Sequence, residues 1–213
     1  MTADSHFRIT DLSLWLGQRR LIKDLDLEIT GGEVVTLMGP SGCGKSSLLA
    51  HICGTLERAF TVRGALRLDG QDLSALPAEA RRVGILFQDD LLFPHMTVAE
   101  NLAFGLPAQL RPAQRRREKV EAALAEANLA EFGDRDPGTL SGGQRARVAL
   151  LRVLLSSPRL LLLDEPFSKL DTALRDRIRR FVFAHARASG LPGLLVTHDP
   201  EDAAAAGGRT LRL

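Results

Sequence analysis

Apolar residues along the chain fall into two alternating patterns. Short, nearly continuous apolar runs at 34–38, 83–87, 159–163, 194–197 and 209–213 read as strands. Two of them, Leu160-Leu161-Leu162-Leu163 and Leu194-Leu195-Val196, contain no polar position. Strands apolar on both faces are covered on both faces, as parallel strands between helices are. Between the runs, apolar residues recur at helical spacing. In 172–189, Leu174, Ile178, Phe181 and His185 share one helix face, which makes His185 a structural residue. In "REKVEAALAEANLAEF", Val120, Leu124 and Ala127 do the same. Strands alternating with helices imply an α/β core. Segments 7–30 and 60–70 differ. They alternate in short steps, as in "ALRLDGQDL", and predict a small antiparallel sheet packed beside the core. No strand is expected within 89–140, so a helical insertion separates the strand at 83–87 from a helix starting near Ser141. With no internal repeat or low-complexity linker, residues 1–213 are expected to form a single domain.

Composition narrows the field. Of 213 residues, 45% are hydrophobic, enough to build a core, and the formal net charge of +2 is too small to point to nucleic acid. The basic run "RPAQRRREK", 111–119, lacks the interleaved aromatics of a single-strand binder and reads as a solvated helix face. No run approaches the roughly 18 apolar residues of a membrane span. The start, "MTADSHFRIT", lacks the pattern of a secretory signal, so a cytoplasmic protein is expected. Cys43 and Cys53 form no disulfide framework or metal-ligand spacing and read as reduced thiols.

Three segments carry chemistry. In "MGPSGCGKSS", Gly39-Pro40-Ser41-Gly42-Cys43-Gly44-Lys45-Ser46-Ser47 follows an apolar strand and opens a helix. Glycine and proline alone would mark only a turn. The spacing G-x-x-x-x-G-K-S marks a phosphate-binding loop, in which backbone N–H groups converge on an anion. Lys45 is placed to reach the β- and γ-phosphates and Ser46 to ligate Mg²⁺. In "LLLLDEP", Asp164 ends a buried strand where it can hold Mg²⁺, and Glu165 is the candidate general base for an attacking water. Two carboxylates there could also be a helix cap with a solvated neighbour; their co-occurrence with the loop favours chemistry. In "LSGGQRARVALLRVLL", Ser141, Gly142 and Gly143 begin an amphipathic helix. They read either as ordinary capping or as a second anion site, one that would serve a nucleotide on another subunit. His6, His51 and His95 have no catalytic spacing.

The segment Leu140-Ser141-Gly142-Gly143-Gln144, between a phosphate loop and a downstream D-E pair, resembles the signature of ATP-binding-cassette (ABC) ATPases. "GEVVTLMGPSGCGKSSLL", "ILFQDDLLFPHMTVAENLAFGL", "LSGGQRARVALLR", "LLLLDEPFSKLD" and "LLVTHDPEDA" follow in that family's order over nearly the whole chain. The chain is similar to bacterial importer ATPases, the compact subunits first and then those for thiamine and ferric iron. This resemblance implies an ABC-type phosphate-loop fold: a parallel-sheet core, a small antiparallel β subdomain, and a helical subdomain about 89–155. It implies ATP and Mg²⁺ as ligands, and a head-to-tail homodimer with ATP between Gly39–Ser47 of one copy and Ser141–Gln144 of the other. It gives Gln88 a role at Mg²⁺ or the water, Asp171 a role across the dimer interface and His198 contact with the γ-phosphate. His198 also ends an apolar strand, where ligands of open α/β sheets collect. Segment 88–101, including "LFPHMTVAEN", would dock a helix of transmembrane permease subunits on the cytoplasmic face of the inner membrane, with a periplasmic solute-binding protein in the complex.

Two residues depart from the family. It places an aromatic ring for adenine where this chain has Leu16, and the only tryptophan, Trp15, is one position off and on the opposite strand face. Lys169 stands where a small residue is usual. The chain also ends about where the last core strand would, so no C-terminal regulatory domain is expected. Rival readings are weaker. A cassette protein of translation or DNA repair would be expected to carry two cassettes or a long coiled coil, and a GTPase would carry an N-K-x-D motif. The transported solute is not encoded in these motifs.

Overall fold

The computed structural model describes residues 5–168, 170 and 172–213. Among the described residues two sheets and six α-helices form, in the order β1 (His6–Leu16), β2 (Arg19–Thr30), β3 (Val34–Met38), α1 (Lys45–Cys53), β4 (Phe60–Leu68), β5 (Gln71–Asp72), β6 (Val83–Leu86), α2 (Val98–Gly105), α3 (Ala113–Glu126), α4 (Gly142–Leu155), β7 (Leu160–Asp164), α5 (Thr172–Ala188), β8 (Gly193–Val196), α6 (Pro200–Ala206) and β9 (Thr210–Arg212). The first sheet is antiparallel, in the order β2-β1-β4-β5; the second is parallel, in the order β6-β7-β8-β3-β9. Asp69 and Gly70, both at positive φ, turn β4 tightly into β5, the backbone a two-residue hairpin requires.

The wholly apolar strands are explained by two cores, one on each face of the parallel sheet. Val35, Leu37, Leu160, Leu162, Leu194 and Val196 face α1 and the antiparallel sheet. Their alternates Val34, Leu161, Leu163 and Leu195 face α4 and α5. A third core joins Val98 and Leu102 of α2, Val120 and Leu124 of α3, and Val148 and Leu151 of α4. Helix α4 therefore serves two cores, since Ala149 and Leu150 face the sheet.

Some expectations shift. The strand expected at 83–87 ends at Leu86; Phe87 is exposed and the chain leaves the sheet there. The apolar face of α5 is also displaced. Its buried line is Ile178, Arg179, Val182, Phe183 and Ala186, while Phe181 and His185 are only half-buried. Spacing of apolar residues missed this because a charged residue, Arg179, sits on the most buried line. In the basic run, Arg116 turns inward rather than to solvent and donates to the carbonyls of Ala103 (2.6 Å) and Leu110 (3.2 Å). That leaves Arg117, paired with Glu121, on the exposed face.

Helix α1 ends at Gly54, whose φ of 83° suits glycine, and Arg81 closes that end. The Arg81 guanidinium donates to the carbonyls of His51 (2.6 Å) and Ile52 (3.0 Å). Burial, with the Arg81 charge adding to it, drives the His51 imidazole from an ordinary 6.5 down to about 4. The unfolded chain takes up a proton on His51 near pH 6.5, whereas the fold accepts one only near pH 4. This group therefore costs nothing above about 6.5 and lowers stability progressively as pH falls from there to about 4. The urea midpoint is expected to fall through that window, and His51→Gln is expected to flatten its upper half, between the histidine and carboxylate ranges. An unchanged pH profile in His51→Gln would refute the assignment.

Candidate active site

The phosphate loop joins β3 to α1. Gly42 and Gly44, at φ 76° and 102°, hold the left-handed backbone that brings the loop round to the helix. Helices α2, α4 and α6 are capped by their own Thr97, Ser141 and Asp199 side chains; α1 opens on Gly44 with no side-chain cap. Its first N–H groups and its dipole are left for an anion. Lys45 is almost fully buried, and its Nζ donates to the carbonyls of Gly39 (2.8 Å) and Pro40 (2.9 Å). A cation folded over its own loop in this way is poised for a phosphate. Cys43, half-buried, has its Sγ 3.8 Å from that Nζ, while Cys53 is buried in the core and its thiol is pushed up to about 11 by burial.

Asp164 is the last residue of β7, at the same sheet edge. The Ser46 hydroxyl is its polar neighbour. Burial holds this carboxyl above its ordinary range and the Glu165 charge adds to that; the Ser46 hydroxyl and the Lys45 charge act oppositely. Glu165 follows at φ 45°, a left-handed position strained for a non-glycine. Its backbone is held on both sides: its N–H donates to Val196 (2.9 Å) and its carbonyl accepts from the Ser168 N–H (3.2 Å) and hydroxyl (2.9 Å). The side chain reaches His198, Glu165 Oε1 lying 3.2 Å from Nδ1.

His198 is exposed, but its loop is not free. The Thr197 hydroxyl donates to Asp202 Oδ2 (2.7 Å) and accepts from the Asp199 N–H (3.0 Å). Arg179, buried in α5, donates to Asp202 Oδ1 (2.6 Å) and Asp199 (3.2 Å). Arg175 joins Asp199 (3.1 Å) to the carbonyl of Leu170 (3.1 Å). Sequence motifs do not point to Arg175, Arg179 or Asp202; the acidic cluster of "HDPED" was their one visible trace.

The loop, Lys45, Ser46 and Glu165 line one cleft of about 460 Å³, whose other wall is Leu16, Arg19, Leu21 and Phe60. Trp15 is not in that wall; Arg20 and Arg63 flank its ring at 5.2 and 5.7 Å. Gln88 is exposed, two residues past the end of β6 and beside the β7 edge that carries Asp164. Ser141–Gln144 do not line the cleft. Ser141 Oγ accepts from the Gln144 N–H (3.3 Å) while Gln144 Oε1 accepts from the Ser141 N–H (2.8 Å), a closed capping box with Ser141 and Gly142 exposed. Asp171 and Lys169 lie outside the described residues.

A parallel sheet with a phosphate loop, an Asp–Ser pair and a Glu–His pair at one edge defines a phosphate-loop nucleotide-binding protein. The profile of the ABC transporter family matches residues 22–168, and the chain belongs to that family as an ATP-binding subunit of the ABC ATPase class. It is 49% identical over 194 residues to the uncharacterized ABC transporter ATP-binding protein YnjD of Escherichia coli (strain K12), covering 91% of this chain and 89% of that one. It is 48% identical over 185 residues to the spermidine/putrescine import ATP-binding protein PotA of Salmonella typhimurium, covering 87% of this chain but 48% of PotA, so it spans about half of that relative. Among solved structures it resembles the post-hydrolysis dimer of the ATP-binding cassette MJ0796 bound to ADP and Pi, with TM-score 0.82, 30% identity, and 97% and 94% of the two chains covered.

The Arg179–Asp202 pair is expected to hold the His198 loop. Asp202→Ala strips the main partner from a buried guanidinium and is expected to cost about 3 kcal/mol, the lower end for breaking a buried pair, because Asp199 and Asp176 remain. Asp202→Asn, which keeps an acceptor, is expected to lose less. Urea unfolding of both variants measures this; equal stability to the parent would show that the pair contributes nothing.

Proposed function

We propose that the chain binds and hydrolyses ATP as one half of a head-to-tail homodimer and energises a membrane ABC transporter of importer type. The observation that carries this is the cleft itself. An uncapped helix N-terminus and a buried lysine line it together with Ser46 and Glu165, and Asp164 and His198 stand next to those two residues.

The roles follow from position. Gly39–Ser47 wrap the triphosphate, with Lys45 exchanging its bonds to Gly39 and Pro40 for the β- and γ-phosphates. Ser46 and Asp164 form an all-oxygen pair whose half-buried carboxyl is held above its ordinary range, a donor set that a hard cation satisfies, so the residues fit Mg²⁺. Gln88 is the third candidate ligand. When bound, Mg²⁺ would draw charge from the phosphoryl oxygens. Glu165 takes the proton of the attacking water as the water oxygen bonds to the γ-phosphorus and the bond from that phosphorus to the β–γ bridging oxygen breaks, its electron pair leaving with ADP. His198, 3.2 Å from Glu165, is placed to orient it and to contact the γ-phosphate. Asp171 would act from the neighbouring copy.

The dimer reading draws support from Gly142. A Cβ at Gly143 would strike Leu174 Cδ2 at 1.7 Å, so packing of α4 on α5 requires that glycine. At Gly142 a Cβ would meet only an Arg145 nitrogen at 3.8 Å. Nothing among the described residues calls for a poor helix former there. A triphosphate on a second copy, approaching the backbone of Ser141–Gln144, supplies the reason.

Docking to permease subunits through 88–101 draws on the exposed apolar side chains. Among the described residues the most exposed large ones are Leu16, Phe87, Leu91 and Phe104. Leu91, at 57%, lies within the docking segment and Phe104, at 63%, lies just beyond it. Phe104 stacks edge-on against Phe93 with centroids 4.7 Å apart, and Asn101 fixes the Phe93 backbone through its N–H and C=O. No helix among the described residues is long and apolar enough to cross a membrane. The docking reading puts the chain on the cytoplasmic face against its permease. A periplasmic solute-binding protein would complete the complex. Residues 1–213 act as one ATP-binding domain, with a helical subdomain about 89–155.

Two mutants test the catalytic assignment. Glu165→Gln removes the proton acceptor and keeps the shape, so ATP should bind without turnover and the closed dimer should accumulate. Lys45→Ala should leave monomers. Light scattering with saturating MgATP distinguishes them, and a monomeric or fully active Glu165→Gln protein would remove Glu165 from this role. The docking surface is tested separately. Leu91→Asp with Phe104→Asp should leave ATP binding intact and abolish association with co-expressed permease subunits. Retained co-purification would move the docking site elsewhere.

A further inference from the structure

The cleft has two ends of different chemistry. The loop and Lys45 make one end cationic and rich in N–H donors. Leu16, Leu21 and Phe60, with Arg19 at the rim, make the other end apolar. A nucleotide whose phosphates lie on α1 directs its base toward that apolar end. Leu16 and Phe60 are the terminal residues of β1 and β4 facing each other, and they are direct partners in the antiparallel ladder. Directly opposed residues project from the same sheet face. Trp15, one position earlier, projects from the other face, where Arg20 and Arg63 flank it. Leu16 is 44% exposed, while Phe60 is half-buried, with part of its ring packed on the core under the antiparallel sheet. Among the described residues that line this cleft, Phe60 is the one aromatic side chain.

We propose that Phe60 supplies the aromatic face on which the base stacks, from β4, replacing the ring that Leu16 lacks on β1. The inference rests on the ATP-binding reading above and adds the residue that seats the base. Its anchorage in the core keeps the ring in place before nucleotide arrives, so little side-chain freedom is lost on binding. Leu16 adds apolar contact beside it. Because every base has a π-face, stacking of this kind grips purines with weak discrimination between them. GTP should therefore bind nearly as well as ATP.

Titration calorimetry with MgATP and with magnesium tripolyphosphate separates the base from the phosphates. Phe60→Leu keeps an apolar side chain in the core and is expected to weaken MgATP binding by about 5- to 150-fold, the range that base–aromatic stacking spans, leaving tripolyphosphate unchanged. Phe60→Tyr should restore MgATP affinity, and Trp15→Ala should change neither ligand. In a Trp15→Phe background, Phe60→Trp should show emission that MgATP quenches and tripolyphosphate does not, which decides the matter even if Phe60→Leu folds poorly. Unaltered MgATP affinity in Phe60→Leu, equal losses for both ligands, or indole emission that MgATP leaves unquenched in the double variant would overturn the proposal. If the unmodified protein binds tripolyphosphate as tightly as MgATP, the base site fails while the phosphate site stands; if it binds neither, the ATP-binding reading fails as well.

Discussion

The unequal treatment of the two ends of α1 is the constraint on which the site depends. At its C-terminus the orphan carbonyls of His51 and Ile52 are taken by the buried Arg81 guanidinium. At its N-terminus no side chain occupies the N–H groups. The helix dipole, equivalent to roughly half a unit charge at each end, is thus compensated at one end and open at the other. Lys45 adds a full positive charge to the open end and is held there by Gly39 and Pro40. Every other group proposed for catalysis is useful only in so far as it is brought to this point.

The parallel sheet brings them there. Parallel strands carry their carboxyl ends to one edge, where ligands of open α/β sheets collect. Register makes the alignment specific: Leu37 pairs with Val196, and Asp164 also pairs with Val196, so β3, β8 and β7 end level. Asp164, Glu165 and His198 emerge side by side from that edge. The His198 loop is held further by Arg179 and Asp202, a buried ion pair. Such a pair is weak evidence for added stability, but losing one member is costly. Its place between α5 and the His198 loop makes it a fixture for geometry.

Helix α4 links this edge to the rest of the molecule. Its N-terminus presents Ser141 and Gly142 to solvent, its middle packs in two cores, and two of its arginines grip the segment after β6. Arg145 pairs with Asp90 at 3.1 Å and Arg152 donates to the carbonyl of Leu91 at 2.8 Å. The proposed partner-facing turn and the exposed apolar patch are therefore mounted on one helix. Arg145 and Arg152 thereby tie the proposed partner-facing turn to the 90–91 segment of the proposed docking surface.

The sequence by itself determined the elements whose physics is local. Alternating strand and helix patterns set the α/β core, the G-x-x-x-x-G-K-S spacing placed the loop, and the apolar run before Asp164 placed a carboxylate at a strand end. Only the tertiary structure decided which distant residues meet. Patterning of apolar residues placed Phe181 and His185 on the buried face of α5. Burial fell instead on a line that includes Arg179, because Asp202, more than twenty positions away in the chain, neutralises it. The wall of the cleft shows the same division. That Trp15 and Leu16 lie on opposite strand faces follows from a two-residue period. That Phe60 stands beside Leu16 depends on how β4 pairs with β1, and pairing register between strands so far apart is set by the shared core rather than by either segment alone.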